Sequence, residues 1–145
     1  MKFFLELPIK KSRAEVWKAF DNPENTKKWQ KSLIKFETVS GVQGQPGAVS
    51  KLTYSENGRE FFLMERILHR AEPGQFDGVY ENEFADNTIK NSFIATSETE
   101  TLWKMEVIFA FKTLVMKVIG PLMKKNFVLR SKRDMERFKE LVEKM

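Results

Sequence analysis

The chain has 145 residues, a formal net charge of +5, one histidine and no cysteine. That length is one ordinary domain, able to bury roughly 70% of its unfolded surface without staples. The missing cysteines exclude disulfides, thiolate metal sites and cysteine nucleophiles, and a single histidine argues against a transition-metal cluster or a nucleophilic triad.

The opening Met1-Lys2-Phe3-Phe4-Leu5 starts like a leader, but Glu6, Pro8, Lys10 and Lys11 break the apolar run. A cytoplasmic location is the expectation. Phe3, Leu5, Leu7 and Ile9 alternate instead, which predicts a strand from Lys2 to Lys10. Ser12-Arg13-Ala14-Glu15 reads as a capping box opening a short helix, with Val16 and Phe20 stacked at i, i+4 and Trp17 beside them. Asn22-Pro23 opens a second short helix that ends near Trp29.

Six strands follow, each ending in turn chemistry. They run over Leu33–Val42, Val49–Ser55, Glu60–Arg70, Gln75–Phe84, Thr88–Thr96 and Thr101–Lys112. Asn57-Gly58 is the strongest hairpin signal, because both residues tolerate positive φ. Gly41, Gly44 and Gly47 share a spacing of three but lie between two strands, so they read as a turn and not as a dinucleotide-binding loop. In the last strand Trp103, Met105, Val107, Phe109 and Phe111 take one face and Lys104, Glu106 and Lys112 the other.

Thereafter the period becomes helical. Phe127, Val128, Ser131, Met135, Phe138, Val142 and Met145 recur at spacings of three and four. A helix from Pro121 to Met145 would span about 37 Å. Gly120-Pro121 marks a break from a possible shorter helix over Thr113–Ile119. No stretch approaches the roughly 18 apolar residues of a membrane span. The order is strand, two short helices, six strands, long helix: an α+β chain in which a twisted antiparallel sheet can curl and the helix can lie across its concave side.

This order and several local strings resemble the START-like, or SRPBCC, superfamily, and within it the polyketide cyclase/dehydrase and lipid-transport group. The strings are Ala14-Glu15-Val16-Trp17-Lys18-Ala19-Phe20, Asp21-Asn22-Pro23-Glu24-Asn25 with Trp29, and Glu65-Arg66-Ile67 followed by Pro73-Gly74. The resemblance spans essentially residues 1–145. It implies a helix-grip fold and a cavity between sheet and C-terminal helix for a lipid, polyketide or other apolar ligand, with no cofactor.

Candidate chemistry is sparse. Glu65 interrupts the apolar face of Phe61, Leu63 and Ile67, where burial would raise its pKa and suit it to acid–base work. The plainer reading is a salt bridge to Arg66 or Arg70. His69 falls on the same face by alternation, as a proton carrier or as a structural histidine. Tyr54, Tyr80, Asn82 and Asn91 are inward polar candidates for orienting a ligand, or else solvated residues near turns. Phe93, Trp103, Met105, Val107, Phe109, Phe127 and Met135 are expected to wall the cavity, or to form plain core beneath the helix.

The segment from Pro121 carries eight basic residues against four acidic ones. It reads as a solvated face or as a transient contact with an anionic membrane. Nucleic acid is disfavoured, because acidic residues interleave and no stacking platform adjoins. Three functions compete: a carrier of an apolar molecule, a cyclase, aromatase or dehydratase using Glu65 with Tyr54, Tyr80 or His69, and an interaction module of co-chaperone or antitoxin type. Either a monomer or a homodimer suits all three.

Overall fold

The computed structural model describes residues 1–145. The elements are β1 (Lys2–Ile9), α1 (Arg13–Asp21), α2 (Pro23–Trp29), β2 (Leu33–Ser40), β3 (Val49–Glu56), β4 (Arg59–Ala71), β5 (Gln75–Glu81), β6 (Ala85–Ser97), β7 (Glu100–Phe111), α3 (Leu114–Leu122) and α4 (Lys124–Glu143). The seven strands form one antiparallel sheet in the order β1-β7-β6-β5-β4-β3-β2. Strands β2 to β7 are a continuous meander, and β1 adds to the β7 edge. This is the α+β helix-grip arrangement expected from the chain.

Local chemistry explains the element ends. The Ser12 hydroxyl accepts from the Glu15 N–H and donates to the Glu15 carboxylate, which closes the capping box. Asn22 accepts from the Glu24 N–H, and Pro23 occupies the first turn of α2, where a missing N–H costs nothing. Asn57 and Gly58 both have positive φ, as the tight β3–β4 turn requires.

Most element ends shift by one to three residues, and three differences bear on the site. The fifth strand stops at Glu81 rather than Phe84, because the Asn82 side-chain Oδ1 accepts from the N–H groups of Phe84 and Ala85 at 2.8 and 2.9 Å and turns the chain. Asn82 is thus a turn residue. The long helix starts at Lys124, and Pro121 belongs to the last turn of α3. The break falls at Met123 (φ −90°, ψ 2°), so α4 is about 30 Å long rather than 37. Strand β4 also bulges: its pairing with β5 slips between Ile67 and His69. A slip of one residue reverses which side chains face in. His69 is therefore exposed on the outer side, and Arg70 turns inward.

The core sits where α4 meets α1, α2, β1 and β7. Met135, Phe138 and Val142 are the buried face of α4. The Phe138 ring lies 5.1 Å from Trp103, 5.4 Å from Trp29 and 5.9 Å from Phe20, all edge-on. Further along, Phe127 stacks on Phe109 at 4.7 Å. Phe93, Trp103, Val107 and Met135, expected as cavity wall, are members of this buried core. Phe109 and Phe127 pack against its edge.

Asn91 ties the core together. Its carbonyl oxygen accepts from the Trp103 indole N–H at 2.9 Å, and its amide donates to the Phe76 carbonyl at 3.2 Å. Both bonds are buried, so neither solvent nor another side chain replaces them. Replacing Asn91→Ala strands a buried donor and acceptor and is expected to cost about 1–3 kcal/mol. Denaturant unfolding of the variant measures it.

Candidate ligand-binding site

Helix α4 closes down on the β1–β7 side of the sheet but stands off over the other strands. The space left there is a partly open cavity of about 300 Å³. Strands β3 to β6 form its floor, with Met105 reaching in from β7. Thr26 and Trp29 of α2, Gln30 at its C-cap, and Arg130, Ser131 and Asp134 of α4 overhang it, and Gln43, Gly44 and Gln45 of the β2–β3 loop complete the wall.

Strand alternation decides what the floor presents. On β3 the inward residues are Ser50, Leu52 and Tyr54; on β4 they are Phe61, Leu63, Glu65 and Ile67. Pairing sets Ser50 opposite Glu65, Glu65 opposite Tyr80, and Tyr80 opposite Asn87. A transverse row of four polar residues thus crosses four strands. Apolar groups flank it: Leu52, Leu63 and Phe61 on one side, Ile89 and Met105 on the other.

Glu65 is 7% exposed and makes no salt bridge. Arg66, one suggested partner, points outward and pairs with Glu81 at 3.0 Å. Arg70, the other, pairs with Asp21 at 2.8 Å and lies over the Trp17 ring at 5.1 Å. Burial therefore raises the Glu65 pKa, and hydrogen bonding with Tyr80 opposes this only in part. Burial thus shifts the balance toward the uncharged carboxyl, the form that can donate a hydrogen bond. Tyr80 is held well above its ordinary value, first by burial and then by Glu65. Its ring folds back over Gly78, with the hydroxyl 3.5 Å from where a Cβ would stand. Tyr54 stacks on Phe61 at 5.3 Å, donates to the Gln30 carbonyl oxygen at 3.1 Å and is likewise pushed up by burial.

The roof is charged. Arg130 pairs with Glu56 across the opening and lies 5.9 Å from the Phe61 ring. Asp134 bonds Arg137 at 3.0 Å, yet burial still pushes its carboxyl up to about 6. The lining carboxyls are Asp21, Glu56, Glu65 and Asp134, and the lining cations are Arg70 and Arg130. Two ion pairs satisfy both cations, so Glu65 is left on the floor without a counter-ion.

Of the residues singled out in the sequence, Tyr54, Leu63, Glu65, Tyr80, Asn91 and Met105 come together around this cavity. Ile67, Phe93, Trp103, Val107 and Met135 lie in the core, and Asn82 and His69 lie elsewhere. Sequence reasoning missed Asn87, whose place in the polar row depends on strand register. It also missed Arg70, brought inward by the bulge, and Arg130 and Asp134, which it assigned to a solvated helix face. The lining is more polar than expected: eleven of 27 residues are hydrophobic.

No family model matches the chain, and no curated protein matches it. Solved structures do. A START superfamily protein from Mycobacterium smegmatis superposes with a TM-score of 0.81 at 14% identity, over 99% of this chain and 97% of that one. Ara h 8.0201 gives 0.74 at 23% identity, over 98% and 97%. The Zhui aromatase/cyclase from a Streptomyces species gives 0.78 at 10% identity, over 99% and 93%. Likeness at this level speaks for the scaffold: the chain has the START-like helix-grip fold.

Proposed function

We propose that the cavity binds a compact, largely apolar small molecule and anchors one polar group of it on the Glu65–Tyr80 row. The observation that carries this is a desolvated carboxyl, without a counter-ion, on a floor where Leu52, Phe61, Leu63, Ile89 and Met105 flank it. Small-molecule sites combine apolar walls with a few placed polar groups, and about 300 Å³ is the lower end of their usual volume. Such a space suits a few fused rings better than a lipid with two long chains. A protonated Glu65 donates to a carbonyl or hydroxyl oxygen of the guest, and Asn87 extends the row beyond Tyr80. The Asn87 carbonyl oxygen is buried without a protein partner, which leaves an acceptor free for a guest donor.

One observation favours a second reading, an enzyme of the cyclase or aromatase kind. Glu65 and Tyr80 sit directly opposite each other on adjacent strands, and both pKa values are raised. A carboxyl whose pKa burial has raised, beside a phenol that holds its own proton, can move a proton on a bound substrate. Glu65→Gln separates the readings: retained binding with turnover lost supports the enzyme, and retained binding with no turnover in either protein supports the carrier.

Two outcomes test the proposal. A panel of apolar ring compounds, fatty acids and sterols should include members that raise the melting temperature. Saturation at 100 times Kd contributes about 2.7 kcal/mol, several degrees for a chain of this size. No shift across the panel, with no small molecule co-purifying by native mass spectrometry, contradicts it.

The second outcome concerns pH. A carboxyl whose folded pKa is raised binds its proton more tightly folded than unfolded, so stability falls as pH rises from the unfolded value through the folded one. For Asp134 that window runs from 3.8 to about 6. Glu65 adds a loss in the same direction, starting at 4.5. Glu65→Gln should therefore raise the melting temperature at neutral pH, and the gain should shrink as pH falls toward 4.5. An equal gain at every pH would show that folding does not shift the Glu65 pKa and would contradict the desolvated carboxyl.

A further inference from the structure

Helix α3 is apolar on the wrong side. Leu114, Val115, Val118, Ile119 and Leu122 are 81%, 63%, 70%, 43% and 80% exposed. At 100° per residue they fall within an arc of about 140°. The one buried residue of the helix, Gly120, lies roughly opposite that arc. It seats α3 on the sheet: a Cβ there would stand 2.3 Å from the Phe111 ring. That close approach fixes which side of α3 faces the protein, so the oily stripe is held toward solvent. Isolated exposed aliphatics are ordinary, but five on one face of a nine-residue helix are a contiguous patch.

The charge around the patch identifies what covers it. No acidic residue occurs between Glu106 and Asp134, whereas seven basic residues do. Lys112 is tied to Asp86 and Arg130 to Glu56. Lys117, Lys124 and Lys125 are exposed and make no salt bridge, one within α3 and two directly after it. A second copy meeting the same face would set these lysines against themselves with no carboxylate between them. No helix is long and apolar enough to cross a bilayer. An apolar stripe with a cationic rim on a short surface helix matches the geometry of a segment lying in a lipid interface.

We propose that α3 docks the protein on an anionic bilayer, with Leu114, Val118 and Leu122 entering the acyl boundary and Lys117, Lys124 and Lys125 meeting the headgroups. The docking surface is independent of what the cavity holds. It differs from the contact expected of the basic C-terminal helix, because the apolar part belongs to α3.

Flotation of the full chain with phosphatidylcholine vesicles, with and without about one third phosphatidylserine, tests this. Binding should require phosphatidylserine and weaken as salt is raised. The double substitution Val118→Asp with Leu122→Asp should lower the bound fraction about tenfold, with the melting temperature unchanged because both side chains are exposed. Lys124→Glu with Lys125→Glu should reduce binding to the level seen on phosphatidylcholine alone. Absence of flotation on the anionic vesicles overturns the proposal, as does flotation that the aspartate pair leaves intact. A dimer seen in sedimentation and abolished by the same pair would assign the face to a second copy and overturn it too.

Discussion

Trp103 is fully buried, and its indole N–H is bonded to Asn91 on the neighbouring strand. Around it close Phe93 from the sheet, Phe20 and Trp29 from the short helices and Phe138 from α4. This aromatic plug is the constraint on which the rest depends. It fills one half of the space between sheet and helix and holds α4 at a fixed height. Over β3 to β6 the floor presents Tyr54, Phe61, Leu63 and Tyr80, but α4 sends down Arg130, Ser131 and Asp134 rather than another ring like Phe138, so the same height leaves a void. The cavity follows from uneven filling of a single interface, and Asn91 marks the edge between the solid half and the open one.

The floor of that void trades stability for chemistry. Arg70 and Arg130 each have a carboxylate of their own, whereas Glu65 has only Tyr80 and Ser50 beside it. Desolvating a carboxyl without a cation is costly unless it keeps its proton. A site kept solely for packing would be better served by leucine there, as at neighbouring Leu52 and Leu63. The arrangement makes sense if a guest supplies the missing partner. Arg70 has a different task. Its bond to Asp21 joins the end of α1 to β4, and its contact with Trp17 carries the same link into the core.

Much of this was legible because strands alternate. Tyr54, Leu63, Glu65 and Tyr80 face inward as their phase requires, and the caps at Ser12 and Asn22 place both short helices. The failures share a cause: each depends on a relation between distant segments. The bulge after Ile67 carries no glycine or proline to announce it, so His69 and Arg70 exchange sides without warning. Phe93, Trp103 and Val107 were rightly set on the inner face. Whether an inner residue lines a void or a core is decided by where Phe20 and Trp29 dock, which strand rhythm does not encode. The outward face of α3 likewise rests on one contact between Gly120 and Phe111.

The central claim is that α4 stands clear of β3 to β6, and a substitution that adds bulk there tests it most directly. Leu63→Trp projects a larger ring from the floor into the space beneath Arg130 and Asp134. If the void is real, the indole is accommodated and the free energy of unfolding holds or rises. If the helix in fact packs flush on those strands, the same change overpacks a filled core and loses about 1–3 kcal/mol.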